Sequence, residues 1–143
     1  MTIIDVNESL LDAIADLEQQ CFSLPWTKQQ LRSQLSPRHI FLAAVEGEEL
    51  LGYIGLMYVL DEGYISNVAV APAHRRRGVA RALIGQLERR CRALSLRFMT
   101  LEVRSGNLPA ITLYENCGFQ RVGLRKNYYQ SPCEDAILMS LEW

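Results

Sequence analysis

The chain has no apolar run approaching the ~18 residues that a membrane span needs. It also has almost no charge imbalance: 15 Lys and Arg stand against 16 Asp and Glu, a formal net charge of −1. A transmembrane helix is therefore not expected, nor is the broad basic excess of a nucleic-acid binder. Met1 to Asp5 lack the basic and apolar regions of a signal peptide, so the expected location is cytoplasmic. Cysteine is sparse. Cys21, Cys91, Cys117 and Cys133 form no C-x-x-C pair, and His39 and His74 lie far from them in sequence. No metal site and no disulfide framework is expected, and the three cysteines within helical patterns read as small core residues. Neither G-x-G-x-x-G nor G-x-x-x-x-G-K-[ST] occurs, which argues against dinucleotide or nucleoside triphosphate binding.

What remains is 143 residues with 49% hydrophobic and 22% charged, enough for one domain over 1–143 with its own core. Thr2 to Val6 predict a short strand. Ser9 with Asp12 predicts a helix cap, followed by Leu10, Ile14, Leu17 and Cys21 at helical spacing. A second short helix follows Thr27, with Leu31 and Leu35 inward. Ile40 to Glu46, Leu50 to Leu60 and Tyr64 to Ala71 read as an antiparallel meander. A long helix opens after Gly78, its inward stripe Ala80, Leu83, Ile84, Leu87, Cys91 and Leu94. Phe98 to Arg104 is a strand. Asn107 caps a helix that Gly118 stops. Strands near Phe119 to Tyr129 and Glu134 to Leu141 finish the chain. The order β-α-α-β-β-β-α-β-α-β-β implies an α/β (α+β) fold, one mixed sheet flanked by helices.

The segment Arg75-Arg76-Arg77-Gly78-Val79-Ala80-Arg81 joins a strand to a helix start. Unpaired N–H groups and a partial positive charge suit that place to a diphosphate, although a solvated basic helix end has the same pattern. R-x-x-G-x-A after Val68-Ala69-Val70-Ala71-Pro72 resembles the acetyl-CoA signature of GNAT acetyltransferases. Phe22 to Trp26, Leu101-Glu102-Val103-Arg104 through Asn107 to Leu113-Tyr114-Glu115, and Arg125 to Tyr129 with Glu134-Asp135-Ala136 resemble the RimI-type subgroup, which acetylates the N-terminal alanine of ribosomal proteins. The resemblance spans almost the whole chain. It implies a GNAT fold of six to seven strands and about four helices, with two central strands splayed apart. It implies acetyl-CoA as cosubstrate and a protein N-terminus as acceptor, with no direct nucleic-acid or membrane partner, in a monomer or weak dimer.

By that resemblance, backbone amides from Arg76, Arg77, Gly78, Val79, Ala80 and Arg81 hold the pyrophosphate. Val68, Ala69 and Val70 run beside the pantetheine arm, an N–H near Val68 faces the thioester oxygen, and Asn107 is a further cofactor contact. Glu102 is the expected base and Tyr114 the proton donor to the departing thiolate. On pattern alone Glu102, which shares a strand face with Thr100 and Arg104, fits equally an ion pair with Arg104, and Tyr114 fits a core tyrosine. Tyr128 and Tyr129 are expected to bind the acceptor's backbone, with Glu134 and Asp135 attracting a basic peptide and Asp61 and Glu62 adding to that attraction. Phe22 to Trp26 precede the second helix and are placed to cover one side of the acceptor groove, with a packing role expected for Trp26. The alternatives are acetylation of small amines or lysine side chains, and a non-catalytic acyl-CoA-binding module.

Overall fold

Seven strands and four helices follow the order read from the periodicity in the computed structural model, which describes residues 1–143. They are β1 (Thr2–Asp5), α1 (Leu11–Cys21), α2 (Lys28–Arg32), β2 (His39–Glu46), β3 (Glu49–Val59), β4 (Glu62–Val70), α3 (Val79–Ala93), β5 (Phe98–Arg104), α4 (Leu108–Asn116), β6 (Gln120–Tyr129) and β7 (Glu134–Glu142). The strands form one sheet in the order β1-β2-β3-β4-β5-β7-β6. Every pairing is antiparallel except β4 with β5, where α3 makes the crossover that a parallel pair requires. No helix is long and apolar enough to cross a membrane.

Strand alternation divides the interior in two. Ile40, Leu42 and Ala44 of β2 join Met99, Leu101 and Val103 of β5 beneath α3 and α4. Phe41 and Ala43 point the other way, to Tyr53, Ala69, α1 and α2. α3 is amphipathic as expected, with Leu83, Ile84, Leu87 and Cys91 buried. Each of these leucine and isoleucine side chains contributes ~1.5–3 kcal/mol when removed from water. Leu94, expected in the same stripe, is exposed instead, because α3 ends at Ala93 and the chain turns away.

Two further expectations are corrected at helix ends. Ser9 is not the cap of α1. The Asn7 side chain accepts from the Ser9 backbone N–H and opens a short 3-10 turn (Glu8–Leu10), so Leu11 rather than Leu10 is the fully buried residue. After Thr27, whose side chain and Gln30 form a reciprocal capping box, Leu31 is buried as expected. Leu35 falls in the following 3-10 turn and is partly exposed. Asn107 caps α4 by accepting from the Ala110 N–H, and Gly118 takes a left-handed φ of 102° just beyond it.

Candidate active site

The site begins with a pairing that stops early. β4 and β5 are in register only at Glu62–Phe98, Gly63–Met99 and Tyr64–Thr100. Beyond Tyr64 the two strands separate, the splay implied by the family resemblance. A β-bulge lies on the other side of β4. Gly55 opposes Asn67 and Leu56 opposes Ile65, so Ser66 is the extra residue. An extra residue reverses the alternation of side chains. Ile65, Val68 and Val70 therefore all pack toward α3, while Asn67 and Ala69 turn toward α1.

The gap opens into a cleft of about 670 Å³. Phe22, Ser23, Leu24 and Trp26 of the α1–α2 connection form one wall, in the covering position expected for them. Ile65 to Val68 and Leu101 to Arg104 form the floor, Asn107, Ala110 and Tyr114 one end, and Tyr128 to Pro132 of the β6–β7 hairpin the facing wall. Of the residues picked out from the sequence, this cleft gathers Val68, Glu102, Asn107, Tyr114, Tyr128 and Tyr129. Ala69, Val70, the segment Arg76 to Arg81, Glu134 and Asp135 are not part of its lining.

Glu102 does not pair with Arg104. Its Oε1 lies 3.5 Å from Arg125 Nε, and the neighbouring Tyr128 hydroxyl has its pKa raised chiefly by a hydrogen bond to this carboxylate. Arg104 bends to the hairpin. It donates to the carbonyls of Gln130 and Pro132, meets Glu134 Oε1 at 3.2 Å and stacks 4.5 Å from the Tyr129 ring centre. Tyr114 is 6% exposed and packs 5.7 Å from Phe119. Burial pushes its phenol well above the ordinary value, with Tyr129 and Cys117 adding to the rise. Tyr129 is likewise pushed up to about 12 by burial and by the Glu102 charge.

The two hairpin acids are occupied internally. Glu134 accepts from the Gly106 N–H and from Ser105 as well as from Arg104. Asp135 accepts from the Asn127 N–H at 2.8 Å. The Glu134 contacts brace the hairpin against the β5–α4 turn and the Asp135 contact ties β6 to β7 within it, tasks different from attracting a basic peptide. Asp61 pairs with Arg97, and Glu62 sits at the closed end of the β4–β5 pair, so neither flanks the cleft.

The start of α3 has the features of an anion site. Gly78 has φ 78°, a left-handed conformation that favours glycine, and open space where a Cβ would stand. No side chain caps this end, and the Ala82 N–H is bonded to the Gly78 carbonyl. The amides of Val79, Ala80 and Arg81 thus precede the first intrahelical donor. A diphosphate fits such donors. The arginines differ in role. Arg75 donates to the Val70 carbonyl, and Arg77 bonds to His74, which meets Glu49 at 2.6 Å. Asn107 Oδ1 is committed to capping α4, which leaves its amide NH₂ as the group able to meet a ligand.

One cluster beside the cleft escaped the sequence reading. Glu18 is fully buried in α1, with Oε1 accepting from the Tyr53 hydroxyl at 2.8 Å and from Asn67 Nδ2 at 2.6 Å. The available signal was its position: Glu18 stands seven residues after Leu11 and four after Ile14, on the buried stripe.

Sequence and structure comparisons show the family and the fold. The sequence pattern of the Acetyltransferase (GNAT) family matches residues 11–119. The ribosomal protein bS18-alanine N-acetyltransferase of Escherichia coli (strain K12) is 32% identical over 142 residues, 98% of this chain and 96% of its own length. A Bacillus subtilis (strain 168) relative, provisionally named for the same reaction, is 34% identical over 131 residues, 90% of this chain and 87% of its own. The crystal structure of the Escherichia coli enzyme superposes with a TM-score of 0.92, covering 99% of this chain and 92% of that one at 32% identity.

Proposed function

The chain belongs to the GNAT acetyltransferase family, and on that premise we propose that it moves an acetyl group from acetyl-CoA to the α-amine of a protein N-terminus, the N-terminal alanine of ribosomal protein bS18. The observation that carries the reading is the splay beyond Tyr64, which opens Glu102 and Tyr114 to one cleft from opposite faces of the sheet. Acetyl-CoA, when bound, supplies an activated thioester. The uncapped start of α3 suits its diphosphate, and the backbone from Val68 to Val70 suits the arm that leads into the gap.

Attack requires a neutral amine. For an α-amine of pKa about 7.7–8.0, deprotonation at pH 7 costs ~1 kcal/mol, against ~4–5 kcal/mol for a lysine at about 10.4. The Glu102 carboxylate takes that proton, directly or through a water. The Val68 N–H steadies the oxygen as charge develops on it, and such a donor contributes roughly 3 kcal/mol to the transition state. Tyr114, held protonated by its burial, gives a proton to the departing thiolate. Tyr128 and Tyr129 face the acceptor's backbone from the hairpin, and Phe22 to Trp26 close the opposite side.

Acetylation of synthetic peptides tests the reading. Peptides that begin with alanine should gain one acetyl group by mass spectrometry, and only when the α-amine is free. Turnover confined to polyamines or lysine side chains would reject the α-amine acceptor, and binding of acetyl-CoA without any transfer would reject the enzyme.

A further inference from the structure

We infer that Glu18, acting through Asn67, is a positioning residue for the Val68 backbone N–H, an inference that rests on the acetyl-transfer reading. Four groups form one chain of contacts from the α1 face into the gap. Glu18 Oε1 accepts from Tyr53 and from Asn67 Nδ2. Asn67 Nδ2 also lies 2.8 Å from the Tyr53 oxygen. Asn67 Oδ1 then accepts from the Val68 N–H at 3.1 Å. Both ends of the Asn67 amide are thus fixed, one by a carboxyl without solvent contact and the other by the peptide that the thioester must meet.

The geometry explains why a polar cluster is retained there. A buried carboxyl costs several kcal/mol unless it is bonded, and Glu18 leaves Oε2 with no partner. A wholly apolar contact would satisfy α1 packing without that cost. What an apolar side chain cannot do is grip Asn67. The bulge at Ser66 turns Asn67 toward α1 and leaves Val68 beside the gap, where β5 no longer pairs with β4. β3 holds Val68 opposite Ile54, and on the gap side, where no β5 carbonyl pairs with it, the Val68 N–H meets Asn67 Oδ1 instead. Oδ1 accepts from it at 3.1 Å, and a thioester oxygen entering the gap would share the same N–H in a three-centre contact.

The test compares wild type, Glu18→Ala, Glu18→Gln, Asn67→Ala and the double variant Glu18→Ala with Asn67→Ala. Calorimetry measures binding of CoA and of acetyl-CoA, and steady-state assays measure kcat on an alanine-starting peptide. CoA has no carbonyl for Val68 to meet. Glu18→Ala and Asn67→Ala should each lower kcat about tenfold and shrink the preference for acetyl-CoA over CoA, with CoA affinity unchanged within about twofold. Glu18→Gln, which retains an acceptor oxygen, should recover most of the loss. The double variant should be no worse than the single ones, since they break one chain of contacts. Wild-type kcat and preference in Asn67→Ala, or losses that multiply in the double variant, would overturn the inference, and Asn67→Ala decides the matter even if Glu18→Ala does not fold. If wild type binds both ligands but modifies no peptide, the acceptor assignment fails and the binding preference alone decides the role of Glu18. If wild type binds neither, the acetyl-transfer reading fails, and this inference with it.

Discussion

Beneath α3 and α4 lies a core of twenty buried residues in which Tyr114 supplies the one oxygen-bearing side chain. Beneath α1 and α2 the buried set is nine residues, and it encloses the Glu18 carboxyl, the Tyr53 hydroxyl and one end of Asn67. The first face is ordinary close packing, where strand and helix periodicities alone decide what is inside. The second accepts a desolvation cost to hold particular atoms in place. The splay opens both faces to one cleft: Tyr114 reaches the gap from the apolar face, and Glu102 stands on the polar one. On the proposed reading, the base Glu102 and the acid Tyr114 thus stand on opposite faces of the sheet at one cleft.

The sharpest way to break this division is Glu102→Gln. It should lower kcat at least tenfold and as much as ~10⁴-fold, with the affinity for CoA unchanged. The loss should shrink as pH rises past the α-amine's own pKa of about 7.7–8.0, because the acceptor then sheds its proton unaided. A pH profile parallel to wild type would mean that Glu102 does not take that proton.

Tyr114→Phe probes the apolar face and should act less strongly, by about ten- to a hundredfold in kcat. The causes of its raised pKa include burial and nearby groups but no hydrogen bond. Removing the hydroxyl therefore breaks no internal contact that holds it, and thermal unfolding should move by little. A drop in melting temperature without a drop in kcat would make Tyr114 a core residue and nothing more.

The contrast between the faces also governs what the sequence made legible. The element order, the buried stripe of α3 and the inward set Met99, Leu101 and Val103 follow from periodicity, because apolar packing has no preferred partner beyond the right face. Leu94 was misplaced since a stripe does not announce its own end. Pairings between charges were less legible. Arg104 stands two residues from Glu102 on the same face, yet its guanidinium is satisfied by two hairpin carbonyls and Glu134, contacts set by how β6 turns into β7. Glu134 and Asp135 read as acids that attract a basic peptide for the same reason: their internal partners are set by the hairpin. Asn67 faces α1 only because Ser66 bulges, and strict alternation from Ile65 would have turned it the other way.

The smallest expected effect lies in the polar cluster itself and concerns stability. Desolvation raises the Glu18 pKa in the folded protein above its ordinary 4.5, and the hydrogen bonds from Tyr53 and Asn67, with the nearby Trp26 backbone, offset only part of that rise. Below pH 4.5 the carboxyl is protonated in the folded and unfolded chains alike, and its contribution to stability is fully present. As pH rises, the unfolded chain releases its proton first while the folded one retains it, so stability is lost until the folded pKa is passed. Tyr53 and Cys21 are the other titratable groups in this cluster, and burial with the Glu18 charge keeps Tyr53 protonated throughout. Glu18→Gln has no proton to release. Its melting temperature relative to wild type should therefore climb with pH from about 4.5 upward, while activity follows the separate demands of Glu102. A difference that stays flat with pH would show that the carboxyl titrates as it does in the unfolded chain, and the two faces of the sheet would then be alike in what their burial costs.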